Sequence, residues 1–127
     1  NATRKNGTED EIKEAVKNAK RSNFVLGNAQ RTADGPISMR VQAMRIGPAA
    51  LVAIPVEAFS EIGVAVKNSS PASQTLFSGY TNGSLGYMPM ADAYEEGGYE
   101  VTTTPMAAGA AEETITACSD AVRALWR

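Results

Sequence analysis

The 127-residue sequence contains no histidine. That removes the commonest general base and the commonest metal ligand from this stretch of chain. It contains one cysteine, Cys118, so neither an internal disulfide nor a thiolate metal cluster can form. Long apolar runs are also missing. The longest, Ala49 to Val56, is broken by Pro55 and is far too short to span a bilayer. Neither sign of charge dominates: 12 basic and 14 acidic side chains leave a net charge of −2. Bulk electrostatics therefore offers no case for nucleic acid or for an anionic membrane. The opening residues are polar and charged, unlike a secretory signal. The chain starts at Asn1 without a methionine, which is expected of a processed chain or a piece of a longer one. What remains is one domain's worth of residues with an ordinary apolar fraction of 43%.

The most informative stretch is Ser78 to Val101, SGYTNGSLGYMPMADAYEEGGYEV. It holds all four tyrosines (Tyr80, Tyr87, Tyr94, Tyr99) and five of the eleven glycines. An ordinary surface loop does not concentrate phenols in this way. Gly86-Tyr87 and Gly98-Tyr99 pair a phenol with a residue that lets backbone approach closely. A tyrosine can ligate a metal as phenolate or donate its hydroxyl to a developing oxyanion. It can equally pack, with its hydroxyl on a hydrogen-bond partner. Upstream, Glu57 ends the run AALVAIPVE. A carboxylate there is costly to bury unpaired. It is read either as a strand-end or helix-start acid met by backbone N–H groups, or as a metal ligand or general base.

Along the chain, Thr8-Glu9-Asp10-Glu11 fits a capping box for a helix to about Arg21. Ile12, Ala15, Val16 and Ala19 would pack, and the lysines would face away. Asn1 to Gly7 and the segment from Gly27 to Gly35 read as irregular. Alternation at Ile37, Met39, Val41 and Ala43 predicts a strand, and Gly47-Pro48 a turn. Ala50 to Ile54 is apolar on both faces and predicts a central strand, paired as an antiparallel hairpin. A helix from about Ala58 to Lys67 and a strand from Gln74 to Tyr80 complete a βαβ unit. Glu57 and the Tyr80–Tyr87 loop would then emerge together beyond the carboxyl ends of neighbouring strands. Ala91 to Glu96 reads as a helical turn. Gly109 to Trp126 reads as a helix with Ala111, Ile115, Cys118, Val122 and Leu125 inward. The expected fold is α/β: a mixed sheet with a β-hairpin and a βαβ unit, and flanking helices at both ends.

Four triplets starting at Asn1, Asn6, Asn68 and Asn82 fit the N-glycosylation pattern, but Asn82-Gly83 is better read as a turn. The spacing of Gly83, Gly86, Gly97 and Gly98 matches no dinucleotide or phosphate loop.

IPVE at Ile54–Glu57, the Asn-Gly-x-x-Gly-Tyr-x-Pro block from Asn82 to Pro89, and Ala93-Tyr94-x-x-Gly97-Gly98-Tyr99-Glu100 together resemble the end of the catalytic domain of neutral/alkaline ceramidases. The resemblance runs from about Met39 to Trp126. These are zinc-dependent amidohydrolases that cleave the amide of ceramide to sphingosine and fatty acid. The resemblance implies that Glu57 and Tyr87 ligate zinc and that Tyr99 holds the amide oxygen and its oxyanion. It also implies two zinc histidines from outside this chain, making residues 1–127 a C-terminal segment of a larger catalytic domain, completed by the N-terminal remainder or a second chain. Tyr80 and Tyr94 are expected to be packing residues. Val56 stands where the family has glycine, and Met90 where threonine is common. Ceramide or a related N-acyl lipid would be the substrate, with peripheral membrane contact and a secreted, periplasmic or cell-surface location. Alternatives are a noncatalytic lipid- or glycan-binding protein on this scaffold, or a hydrolase of another N-acyl amide.

Overall fold

The structure, a computed structural model, describes residues 8–33 and 35–127. The expectations for Asn1 to Gly7, including the first two glycosylation triplets, lie outside the described residues. Helix α1 spans Glu9–Thr32. Thr8 caps it in a reciprocal box: Glu11 N–H donates to Thr8 Oγ1 (3.3 Å), and Thr8 N–H donates to Glu11 Oε2 (2.6 Å). Three acids in the first turn suit the positive end of the helix dipole.

Two expectations for α1 fail. The helix does not stop near Arg21 but continues through Phe24, Val25 and Leu26 and on past Gly27. A single interior glycine costs only about 1 kcal/mol relative to alanine, and no proline intervenes. Nor does its apolar stripe pack: α1 has no buried residue, and Ile12 and Val16 stay about half exposed, at 55% and 49%. The helix is fastened to the body by polar bonds from its later turns. Arg21 Nη2 donates to Thr102 Oγ1 (3.0 Å), and Asn28 Nδ2 to the Thr103 carbonyl (2.7 Å).

Strands β1 (Gln42–Ile46), β2 (Ala49–Ala53) and β4 (Gln74–Ser78) form a mixed sheet in the order β1-β2-β4. β1 and β2 are the expected antiparallel hairpin, turning at Gly47 with φ +58°. β2 and β4 are parallel and joined through helix α2 (Ser60–Ser69), the expected βαβ unit. Between β2 and α2 lies β3 (Glu57–Ala58), which pairs in parallel with β5 (Tyr87–Met88) to form a second, two-stranded sheet. The class is α/β, as expected. β1 begins later than the alternation suggested. Ile37, Met39 and Val41 are half-buried in alternation with exposed neighbours, but β2 gives them no ladder partner, because its last residue, Ala53, already faces Gln42. The pattern reported burial, not hydrogen bonding.

One face of the three-stranded sheet is covered. Val52, Ile62, Val66, Ala111, Cys118 and Val122 are fully buried where α2 and α5 (Ala110–Ala124) meet it. Ser69 and Ser119 hydroxyls bridge the two helices at 2.6 Å. At the end of α5, Arg45 stacks on Trp126, 4.4 Å from the ring centre, and donates to the Leu125 carbonyl (3.0 Å). The other face carries Met44, Leu51 and Leu76, directly opposite one another across all three strands. Met44 and Leu76 are mostly exposed and Leu51 is half-buried.

Cys118 fills core space, as expected, and burial pushes its thiol up to about 11 from the ordinary 9.0. Between those values the unfolded chain loses the thiol proton and the folded chain keeps it. Stability is therefore expected to fall as pH rises from about 9 to about 11, and to fall less in Cys118→Ala. Chemical denaturation at stepped pH checks this; equal pH slopes for both proteins would refute it.

Candidate functional site

The segment Pro55 to Ala58 and the loop after β4 are laced together by backbone bonds. Tyr80 N–H donates to the Val56 carbonyl (3.0 Å), Thr81 N–H to Ile54 (3.0 Å), and Leu85 N–H to Pro55 (2.8 Å). Glu57 N–H in turn donates to the Gly86 carbonyl (2.9 Å). Gly86 has φ +98°, and a Cβ there would stand 3.1 Å from the Pro105 ring. That position requires glycine on both grounds.

This lacing fixes the register of β3 and β5, in which Glu57 and Tyr87 are direct partners. Partners across a ladder project from the same face, so the carboxylate and the phenol stand side by side. Tyr99 is the first residue of the short helix α4 (Tyr99–Thr103), which follows α3 (Ala93–Glu96). Its ring meets Tyr87 edge to face, with centres 5.9 Å apart and planes at 79°. The structure thus brings together all three residues singled out in the sequence: Glu57, Tyr87 and Tyr99.

Tyr80 was expected to pack and does not. It is 55% exposed, and its hydroxyl donates to Glu57 Oε2. Its φ is +50°, a left-handed conformation that costs a non-glycine residue about 1–2 kcal/mol. The two backbone bonds from Tyr80 and Thr81 hold it there. Tyr80 precedes a Thr-Asn-Gly turn, and the chain then runs back along the Ile54–Glu57 segment. Tyr94 is the packing residue expected: it is half-buried, and its hydroxyl donates to the Met106 carbonyl (2.8 Å).

Partial burial, and then the adjoining Glu57 carboxylate, hold the Tyr87 phenol above its ordinary value; Tyr99 and Glu100 add to the effect. Within this chain, therefore, Tyr87 keeps its proton. As metal donors, Glu57 and Tyr87 lie together on one face, which suits two neighbouring ligands of a single ion. They are an all-oxygen pair with one proton to lose, and no group of three His, Cys, Asp or Glu placed to hold a metal ion occurs among the described residues. Two oxygen donors do not by themselves complete a metal site.

A hollow flanks the cluster on each side. One, of about 350 Å³, lies between α2 and β4 and is lined by Glu57, Tyr80, Phe59, Gly63 and Phe77. The other, of about 360 Å³, lies between α1 and α4 and is lined by Lys17, Lys20, Arg21, Phe24, Tyr99 and Thr102. Lys17 and Lys20 stay exposed at the rim of the second hollow, which forms because α1 runs past Arg21 to Phe24.

Among solved structures, the chain is similar to neutral ceramidase from Pseudomonas aeruginosa. Identity is 25%, the TM-score is 0.58, and the match covers 67% of this chain and 15% of that one. The fold is ceramidase-like over the matched segment. The chain thus corresponds to a small part of the ceramidase's length. No protein-family model matches the sequence, and no curated protein matches it.

Proposed function

We propose that this chain is a segment of the catalytic domain of a zinc-dependent amidohydrolase that cleaves the amide of ceramide or a closely related N-acyl lipid. The observation that carries this reading is the Glu57–Tyr87 ladder pair with Tyr99 against it, on a fold similar to a neutral ceramidase. Glu57 and Tyr87 would hold the zinc, together with two histidines from outside these residues. Zinc, when bound, supplies Lewis-acid polarisation and lowers the pKa of a water ligand. The chain's own groups do the rest. Tyr80 hydrogen-bonds Glu57 and orients its carboxylate, making it a positioning residue. Tyr99 donates its hydroxyl to the amide oxygen as charge grows there. Peripheral contact with a lipid surface goes with a lipid substrate; no described helix is long and apolar enough to cross a membrane. A secreted, periplasmic or cell-surface location goes with this reading, and cell fractionation checks it.

The 127-residue chain alone is expected to bind zinc weakly and to leave ceramide intact, since one carboxylate and one protonated phenol compete poorly with water. Stoichiometric tight zinc, or ceramide cleavage by the isolated chain, would refute the assignment of outside ligands. In the complete protein, Glu57→Gln and Tyr87→Phe are expected to lower zinc content. Tyr99→Phe should keep the zinc and lose kcat by about 10²–10³. Unchanged zinc content in the first two variants would remove the metal assignment.

A further inference from the structure

The hollow between α1 and α4 gathers cations and aromatic rings on facing walls. Three cations, Lys17, Lys20 and Arg21, stand along its α1 wall beside the Phe24 ring. Among the described residues none of the three is in an ion pair; the two pairs present are Lys13–Glu9 and Arg123–Asp120. In a chain of net charge −2, this is a local concentration of positive charge and not a bulk property. The opposite wall is Tyr99, Thr102 and Thr103, and the same Tyr99 ring abuts Tyr87. Glu100 places its carboxylate near Gly98 at that end, so an incoming anion is directed to the α1 wall. A separate, open depression on α1 shares Lys20 and Phe24 with it and is also lined by Asn28 and Arg31. Together they set a polar end at Tyr99 beside lysine and arginine stems and an aromatic ring on α1. They suit an extended chain with a negative head.

We propose that this groove binds a long-chain carboxylate, the acyl product of amide hydrolysis beside it. The origin of the ligand rests on the amidohydrolase reading. In that reaction water adds its oxygen to the acyl carbon, the C–N bond breaks, and the nitrogen takes both of the water's protons, leaving a carboxylate and an ammonium. The two products differ in charge, and this groove sorts them. The carboxylate pairs with Lys17, Lys20 and Arg21, while the chain lies over Phe24 and the lysine stems. The ammonium product is repelled.

The test uses the 127-residue chain with sodium dodecanoate below its micelle concentration, followed by calorimetry and by amide shifts in two-dimensional NMR. Dodecyltrimethylammonium and hexanoate serve as comparison ligands. Dodecanoate is expected to saturate one site, with shifts centred on Lys17 to Phe24 and Tyr99 to Thr103. Hexanoate should bind at least about tenfold more weakly, and the cationic amphiphile should not bind. K17Q/K20Q/R21Q is expected to weaken dodecanoate about tenfold or more. K17Q/K20Q, which keeps the Arg21–Thr102 bond, guards against undocking of α1 and should show most of that loss. Equal binding of the cationic amphiphile, undiminished binding in K17Q/K20Q, or no binding at all would each overturn the proposal. The zinc measurements on the complete protein are independent. Zinc loss in Glu57→Gln without dodecanoate binding sinks only the groove. Dodecanoate binding with zinc content unchanged in that variant sinks only the metal reading.

Discussion

Ile54→Ala is expected to lower the unfolding free energy by roughly 2–5 kcal/mol. Ile54 is fully buried between the end of β2 and the start of the site segment. Its N–H donates to Ser78 and its carbonyl accepts from Thr81, both at 3.0 Å, so its backbone is tied to the β4 side in both directions. Pro55 follows with a fixed φ, so the chain cannot slide inward to close the space left by the lost side chain. A cavity forms at the base of the segment carrying Glu57. Urea unfolding followed by Trp126 fluorescence measures the loss. The comparison variant is Leu76→Ala on the open face, where 65% exposure predicts a change within about 0.5 kcal/mol. Similar losses in the two variants would mean that the core does not lie where Ile54 sits.

The second large effect is expected from Gly79→Ala. An alanine Cβ at this position would stand 2.8 Å from the Val56 carbonyl oxygen. That oxygen accepts the Tyr80 N–H, and Val56 is fully buried, so neither side can yield cheaply. Crowding of this kind costs about 1–3 kcal/mol. The consequence for the site is more specific than the loss of stability. Pushing Gly79 off Val56 unseats the left-handed Tyr80, and its hydroxyl then leaves Glu57. Tyr80 ring shifts and the Glu57 carboxyl carbon shift in NMR report that separation. Gly27→Ala is the control, since a Cβ there meets nothing within 4 Å and the helix gains about 0.5–1 kcal/mol. Native stability with an unchanged Tyr80–Glu57 contact in Gly79→Ala would refute this account of the loop.

Much of the fold was legible because strong local signals agreed with tertiary demands. The βαβ unit followed from a doubly apolar strand, a proline stop and a polar break before Gln74, and it placed Glu57 near Tyr87 through topology alone. The start of β1 was misread because alternation records which side chains face the core, whereas a strand also needs a partner of sufficient length. The end of α1 was misread because Gly27 looks like the start of an irregular segment, yet the helix runs through it with Phe24 to Leu26 about half exposed. Within the site, Glu57, Tyr87 and Tyr99 came from motif resemblance and are adjacent in space. Tyr80 escaped because its role depends on a positive φ, which no propensity of tyrosine suggests.

The open side of the sheet bears on how substitutions will be tolerated. In β2, Ala50 and Val52 meet the helices, while Leu51 faces the row shared with Met44 and Leu76. A saturation scan of the strand, read by thermal shift, should therefore oscillate with a period of two, falling at Val52 and recovering at Leu51. The flanking strands should be permissive at Met44 and Leu76 and strict at the half-buried Phe77, against which Gly63 of α2 is packed. The helices would leave their imprint on the sheet as a rhythm of tolerance.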